Sequence, residues 1–282
     1  MVFHKVDEAG MKEAFLSEGY VILKKFFNQS VLDCVRTELE KLVELEAEKL
    51  ISAGKITDPF VDAPFDTRIA RLYVGHMDDA PTSFRPELHG PLLFDLFFHK
   101  HLLDVIQIFL GNEIRLYPNY TSRPKFPDWE GTLVLWHQDG GYTAQAAEGV
   151  EELKMVNVWA PLVPATVENG CMQFIPGTHR LGVVPHEKRH YYLEIAQDEL
   201  DLRLDQAVDV VTDPGDVVLF HNLMFHCGLP NTTETVRWSM DWRYQDATQS
   251  TMRKQVGHLA RSLVSPDEVV SYREDWASRI FR

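Results

Sequence analysis

The spacing of apolar and polar positions changes several times along the chain. Glu8 to Ser17 is a short amphipathic run stopped by Gly19, and Tyr20–Phe26 (YVILKKF) begins apolar and β-branched, which predicts a strand. Ser30 reads as an N-cap with Asp33 three residues on, and Val31, Leu32, Val35, Leu39, Leu42 and Val43 then recur at helical spacing to about Leu50. Residues 55–92 lose this regularity among prolines and aspartates and read as a long loop. From Pro91 to Leu110 the helical spacing returns, closed by Gly111. Beyond it, short runs rich in Val, Leu, Tyr, Trp and Thr at 114–120, 132–138, 154–160, 171–175, 208–212, 216–221 and 236–244 alternate with turn residues. That rhythm predicts a β sandwich or barrel. Residues 179–207 read as a charged insertion between strands, and 247–282 as mostly helical. With no repeat or linker, one domain is expected over 1–282: N-terminal support (1–111), β core (112–246) and a C-terminal extension (247–282).

Composition narrows the class. The 28 Lys+Arg against 42 Asp+Glu leave a net charge of −14, which disfavours nucleic acid and anionic lipid as partners. Three cysteines, Cys34, Cys171 and Cys227, cannot complete a paired framework, which points to a reducing compartment. The opening MVFHKVDEAG lacks the apolar run of a signal peptide, no run of about 18 apolar residues could span a membrane, and the closing residues are not a peroxisomal address. A cytoplasmic protein with no obligate protein partner is the expectation.

The candidate chemistry lies among 12 histidines and 21 aspartates. Chance alone gives about one His-x-Asp in such a chain, so a lone match is uninformative. Two occur, His76-Met77-Asp78 and His137-Gln138-Asp139. The first sits in a polar, turn-rich stretch. The second follows the strand run Thr132–Trp136 and precedes Gly140 and Gly141, and on a strand its i, i+2 spacing aims an imidazole and a carboxylate the same way. A distant histidine would complete the two-His, one-carboxylate face of a non-haem Fe(II) centre. The segment GDVVLFHNLMFHCGLPN offers His221 and His226. After His226 come Arg237 and Ser239, again i, i+2, a guanidinium and a hydroxyl suited to gripping a carboxylate.

In order, AFLSEGYVILKKFF, WHQDGGYT, NVWAPLVPATVENGCMQFIPGTHRLG, GDVVLFHNLMFHCGLPN and RWSMDWRY resemble the phytanoyl-CoA dioxygenase family of Fe(II)/2-oxoglutarate-dependent oxygenases, over roughly residues 14–244. The resemblance implies a double-stranded β-helix, the cupin-like jelly roll, with flanking N-terminal and C-terminal helices. It implies that His137, Asp139 and His226 bind iron, choosing His226 over His221, and that Arg237 binds the far carboxylate of 2-oxoglutarate. It further implies O2 as co-reactant, stimulation by ascorbate, and release of succinate and CO2 as a small, largely apolar substrate is hydroxylated. The motifs are most similar to those of bacterial hydroxylases that tailor natural products. Asp139 stands where halogenating relatives have a small residue, which disfavours halogenation. A cupin-like metalloenzyme without 2-oxoglutarate, and a non-catalytic family member, are the alternatives.

Other positions stay open on sequence. Arg123 either reaches the pocket or lies in a solvated loop. Asn157 and Trp159 share a strand face, and Trp159 reads more as packing than as a cofactor contact. The cluster His179, Arg180, His186, Lys188, Arg189 and His190 reads as a lid that meets a substrate anion, with Arg180, Lys188 and Arg189 as substrate candidates, or as surface charge compensation. Phe60, Phe65, Tyr73 and Phe84 either line a cavity or anchor the long loop.

Overall fold

The strand Arg237–Asp246 is buried along its whole length, yet its two faces differ chemically. Trp238, Met240, Trp242 and Tyr244 join the main apolar core, while Arg237, Ser239, Asp241 and Arg243 alternate with them and point the other way. A strand with one apolar and one charged face, both covered, belongs between a helical layer and a polar interior. The computed structural model, which describes residues 1–189 and 192–279, has that architecture.

An eight-stranded sheet runs in the order Val2–Phe3, Tyr20–Leu23, Val217–His221, Met155–Pro161, Arg237–Asp246, Ile114–Leu116, His258–Arg261, and Thr121–Lys125 also pairs with Arg237–Asp246. Facing it is a four-stranded sheet in the order Val208–Val210, Met172–Ile175, Phe225–Gly228, Val134–His137. These are the two sheets of a double-stranded β-helix. The outer face of the large sheet (Val21, Leu23, Val158, Leu219, Trp238, Trp242) packs against the N-terminal helices through Met11, Val35, Leu39, Phe97 and Ile106. Between the sheets, Ile22, Trp159, Val218 and Phe220 meet Met172 and Phe174 in a smaller apolar cluster. The rest of that interior is polar and holds the candidate site.

Several expectations are corrected. The helix Gln29–Ser52 is capped not by Ser30 but by Asn28, whose side chain accepts from the Val31 N–H at 3.1 Å. The loop at 55–92 contains a helix, Phe65–Leu72, whose buried stripe of Ile69 and Leu72 is too short to stand out among the prolines. The run 91–110 is broken at Phe98, and His99 caps a second helix, Lys100–Leu110, by accepting from the Leu102 N–H at 3.3 Å. The strand at 114–120 stops at Leu116, and Thr121–Lys125, a strand that contains Pro124, carries the antiparallel pairing on along Arg237–Asp246. The extension 247–282 is not mostly helical. His258–Arg261 extends the large sheet beside Ile114–Leu116, and Arg273–Ser278 is a helix of six residues anchored by the buried Trp276. No apolar stripe at helical spacing runs through that segment, so edge pairing decides its structure.

Candidate metal centre

His137 ends the strand Val134–His137, and its Cα partner on the neighbouring strand is His226. The two imidazoles, 89 residues apart in the chain, thereby lie with ring centroids 4.0 Å apart. Asp139 is not on the strand, as the spacing suggested, but is the first residue of the short helix Asp139–Ala144. Gln138 between them is still extended (φ −111°, ψ 133°), which keeps the carboxylate on the side of His137. Gln138 itself is fully buried and fastens this turn: its amide donates to the Gly182 and Leu223 carbonyls, both at 2.8 Å, and accepts from the Val184 N–H at 3.0 Å.

The three side chains each offer one ligand atom within 4.8 Å of the others, and among the described residues they are the one such set of His, Cys or carboxylate groups. Hydrogen bonds behind them decide which atoms are free. The Nδ1–H of His137 donates to the Leu135 carbonyl at 2.7 Å and that of His226 to the Met224 carbonyl at 3.0 Å. A carbonyl cannot donate, so both rings carry a proton on Nδ1 and turn Nε2 inward as the atom available to a metal. Burial, with His137 adding, lowers His226 to about 3, so it is neutral and ready to ligate. Asp139 receives bonds at Oδ2 from Asn157 (2.7 Å) and from Arg243 Nη2 (2.7 Å), leaving Oδ1 on the side of His137 Nε2, 3.7 Å away. Burial opposes ionisation of this carboxyl, but the Arg243 guanidinium outweighs it and holds Asp139 well below the usual carboxylate range.

Deeper between the sheets, Arg237 is 4% exposed. Its Nη1 donates to Ser239 Oγ (2.6 Å) and its Nη2 to the Gly170 carbonyl (3.0 Å), its Nε has no partner, and Trp159 lies 5.4 Å from its Cζ. Burial and then Arg123 lower it to about 10, so it remains a cation at neutral pH. Its Cα partner across the sheet is Lys125, also buried, whose Nζ donates to the Thr132 carbonyl at 3.0 Å. Burial and then Arg237 lower Lys125 to about 7. Two buried cations with no carboxylate between them form a cradle for an anion. A cleft of about 60 Å³ lined by His137, Asp139, His226, Trp159, Phe220 and Arg237 joins the Arg237 guanidinium to the triad.

The structure brings Asn157 onto Asp139, Trp159 beside Arg237, and Arg123 onto Asp241 at 2.7 Å. It does not bring Arg180, Lys188 or Arg189 to the site. All three are exposed, and Arg189 is paired with Glu187 and Glu194. His190 of that cluster lies outside the described residues. His76 hydrogen-bonds the Lys55 carbonyl at 3.1 Å, and Asp78 is exposed. Tyr73, Phe65 and Phe84 of the long loop belong to the main core. Sequence reasoning missed Lys125, Asp241 and Arg243. The last two carried a signal: both have the parity of Arg237 and Ser239 on one strand.

Comparison with known proteins shows the family and the fold. The phytanoyl-CoA dioxygenase (PhyH) family model matches residues 15–239. The chain is similar to 1-deoxypentalenic acid 11-beta-hydroxylase of Streptomyces exfoliatus, 29% identical over 258 residues, which cover 86% of this chain and 82% of that enzyme. It is also similar to ectoine dioxygenase of Sphingopyxis alaskensis, 22% identical over 78% of this chain and 70% of the relative. Among solved structures, EctD from S. alaskensis with 2-oxoglutarate and 5-hydroxyectoine superposes with a TM-score of 0.61 at 21% identity, over 86% of this chain and 77% of that one. EvdO2 from Micromonospora carbonacea var. aurantiaca gives 0.63 at 23%, over 87% and 93%. The chain belongs to the phytanoyl-CoA dioxygenase family of Fe(II)/2-oxoglutarate-dependent oxygenases.

Proposed function

We propose that this chain hydroxylates an unactivated C–H bond of a small, largely apolar molecule, converting 2-oxoglutarate and O2 to succinate and CO2, with ascorbate as a stimulant. One observation carries the reading. A His-Asp-His triad and a buried, uncompensated Arg237 face the same narrow cleft.

The donor set fits iron, and the cradle fits a dicarboxylate. His137, Asp139 and His226 would hold the metal through Nε2, Oδ1 and Nε2, and Arg237 would hold the far carboxylate of 2-oxoglutarate. Ser239 Oγ accepts from Arg237, so its own hydrogen is free to donate to that carboxylate, and Lys125 supplies a second charge. Iron and 2-oxoglutarate together supply the oxidising power for the C–H bond. The protein's part is geometric and electrostatic. Leu135 and Met224 fix the ring tautomers, Asn157 and Arg243 fix the carboxylate, and Trp159 and Phe220 keep water from the cleft. A cupin-like enzyme without 2-oxoglutarate would leave Arg237 buried with nothing to neutralise it.

The chain acts on its small molecule without need of a protein partner, and in the cytoplasm. The free state of Cys34, Cys171 and Cys227 supports a reducing compartment, and no helix among the described residues is long and apolar enough to cross a membrane. Under argon, Fe(II) with 2-oxoglutarate should give a weak visible charge-transfer band that His137→Ala abolishes. Absence of the band from the parent protein would sink the proposal.

A further inference from the structure

Beside His137 and Asp139 the cleft opens into a cavity of about 790 Å³. Four arginines line it: Arg85, Arg123, Arg243 and Arg253. Two are neutralised from within the protein. Arg123 pairs with Asp241 at 2.7 Å, and Arg243 with Asp139 at 2.7 Å and Asp241 at 3.5 Å. Among the described residues, neither Arg85 nor Arg253 has a carboxylate or hydrogen-bond partner for its guanidinium. Arg253 lies only against the Tyr117 ring, 5.5 Å from its centroid.

The backbone explains how Arg85 comes to face the cavity. Phe84 forms an antiparallel bridge with Ser122, with N–H to carbonyl bonds of 2.9 and 3.0 Å in the two directions. Phe84 turns into the core and stacks on Trp238, so Ser83 and Arg85 on either side take the opposite face, where Arg123 also lies. Burial lowers the Arg85 guanidinium below its ordinary value; Arg123 adds to this, and Asp241 works against it. Of the acidic residues of the lining, Asp139 is held by Arg243, Asp78 and Glu130 are exposed, and the nearby Glu87 is occupied by the backbone N–H of Arg85 at 2.9 Å. The wall therefore holds two uncompensated cations in a protein whose net charge of −14 repels anions at long range. Arg253 is exposed, but Arg85 is half-buried, and a partly buried guanidinium without a counter-ion is unfavourable unless a ligand supplies one. Around it the lining mixes apolar and aromatic side chains, Trp129, Val134, Tyr142 and Tyr192, with the polar Thr82, Ser83 and Asn119.

We infer that Arg85 and Arg253 anchor a carboxylate of the substrate, whose otherwise apolar body fills the cavity beside the metal centre. The substrate class is thus a compact, largely apolar carboxylic acid. The inference rests on the hydroxylase reading for what happens to the acid, while the anion site rests on the two free guanidiniums alone.

Calorimetric titration with a panel of mono- to tetracyclic apolar carboxylic acids, each beside its methyl ester and its primary amine, tests it. At least one acid should bind about tenfold or more tighter than its ester, the amine should not bind, and raised salt should weaken the acid alone. R85Q/R253Q should remove the preference and R85K should keep most of it, with thermal unfolding showing that both variants fold. Acids that bind no better than their esters, or an R85Q/R253Q protein that keeps the preference, would overturn the inference. The visible band of Fe(II) and 2-oxoglutarate without acid reports on the hydroxylase reading separately. A missing band with acid preference intact sinks that reading and leaves the anion site standing; an intact band without acid preference does the reverse.

Discussion

Arg243 Nη2 donates to Asp139 Oδ2 at 2.7 Å, and its Nε to the same oxygen at 3.2 Å, across 104 residues of chain. This fork fixes which carboxylate oxygen is left for a metal, and it offsets the burial that opposes the carboxylate's ionisation. Loss of it should therefore be felt as metal affinity. We expect Arg243→Met to weaken Fe(II) or Co(II) binding about 10- to 100-fold, the usual cost of losing the group behind a ligand. The loss should deepen below neutral pH, because Asp139 then protonates more readily. Metal titrations at two pH values check it, and unchanged affinity at both would refute the role assigned to Arg243.

Arg237 and Lys125 make a separate prediction. Arg237→Met should raise the 2-oxoglutarate concentration needed for the visible band by about 100-fold, since a charge-assisted pair in a dry site is lost, while Arg237→Lys recovers part of it. Lys125 stands at about 7 because burial and then Arg237 disfavour its charge. An arriving carboxylate favours that charge, so binding should take up a proton above pH 7. Titration in buffers of different ionisation enthalpy measures the proton count. Zero uptake in the parent, or equal uptake in Lys125→Met, would count against the pairing.

Gly170 looks like a turn residue, yet its carbonyl takes the Arg237 Nη2 bond. Its φ is +87°, and a Cβ there would meet the Leu229 carbonyl oxygen at 2.4 Å and the Lys125 side chain at 2.5 Å. Gly170→Ala should cost about 1–3 kcal/mol of stability and weaken 2-oxoglutarate binding as well, which denaturant unfolding and the band titration read independently. A variant as stable as the parent would show that the loop relaxes freely.

His221, passed over as a ligand, has a structural role. Its Nδ1 accepts from the Leu223 N–H at 3.1 Å, and it packs against Phe15 and His179. Burial, and then His179, lower it to about 4. Its folded value is below the unfolded one, so the unfolded chain binds the proton more readily. The neutral ring's contribution is fully present above about pH 6.5 and fades as the pH falls toward 4. His221→Phe should flatten the fall in Tm over that window. An equally steep fall in the variant would assign the acid sensitivity elsewhere.

The alternation on Arg237–Asp246, the strand before His137 and the order of His, Asp, distal His and Arg-x-Ser are local patterns, so they are legible from residue types alone. Period-2 spacing places side chains on a face whatever the partner strand is. What escaped was set by distance. The partners Arg123 with Asp241 and Arg243 with Asp139 meet through strand pairing across 118 and 104 residues. Lys125 sits on a proline-bearing strand held by pairing with Arg237–Asp246 and by the bridge of Ser122 to Phe84. The 247–282 segment carried too little local pattern to reveal its edge strand. By itself the sequence determined the sheet faces and singled out the three side chains that the fold brings together, His137, Asp139 and His226. Tertiary structure alone decided which charges neutralise one another and which arginines among the described residues remain for a ligand, because charge compensation depends on cross-strand register, which no local period encodes.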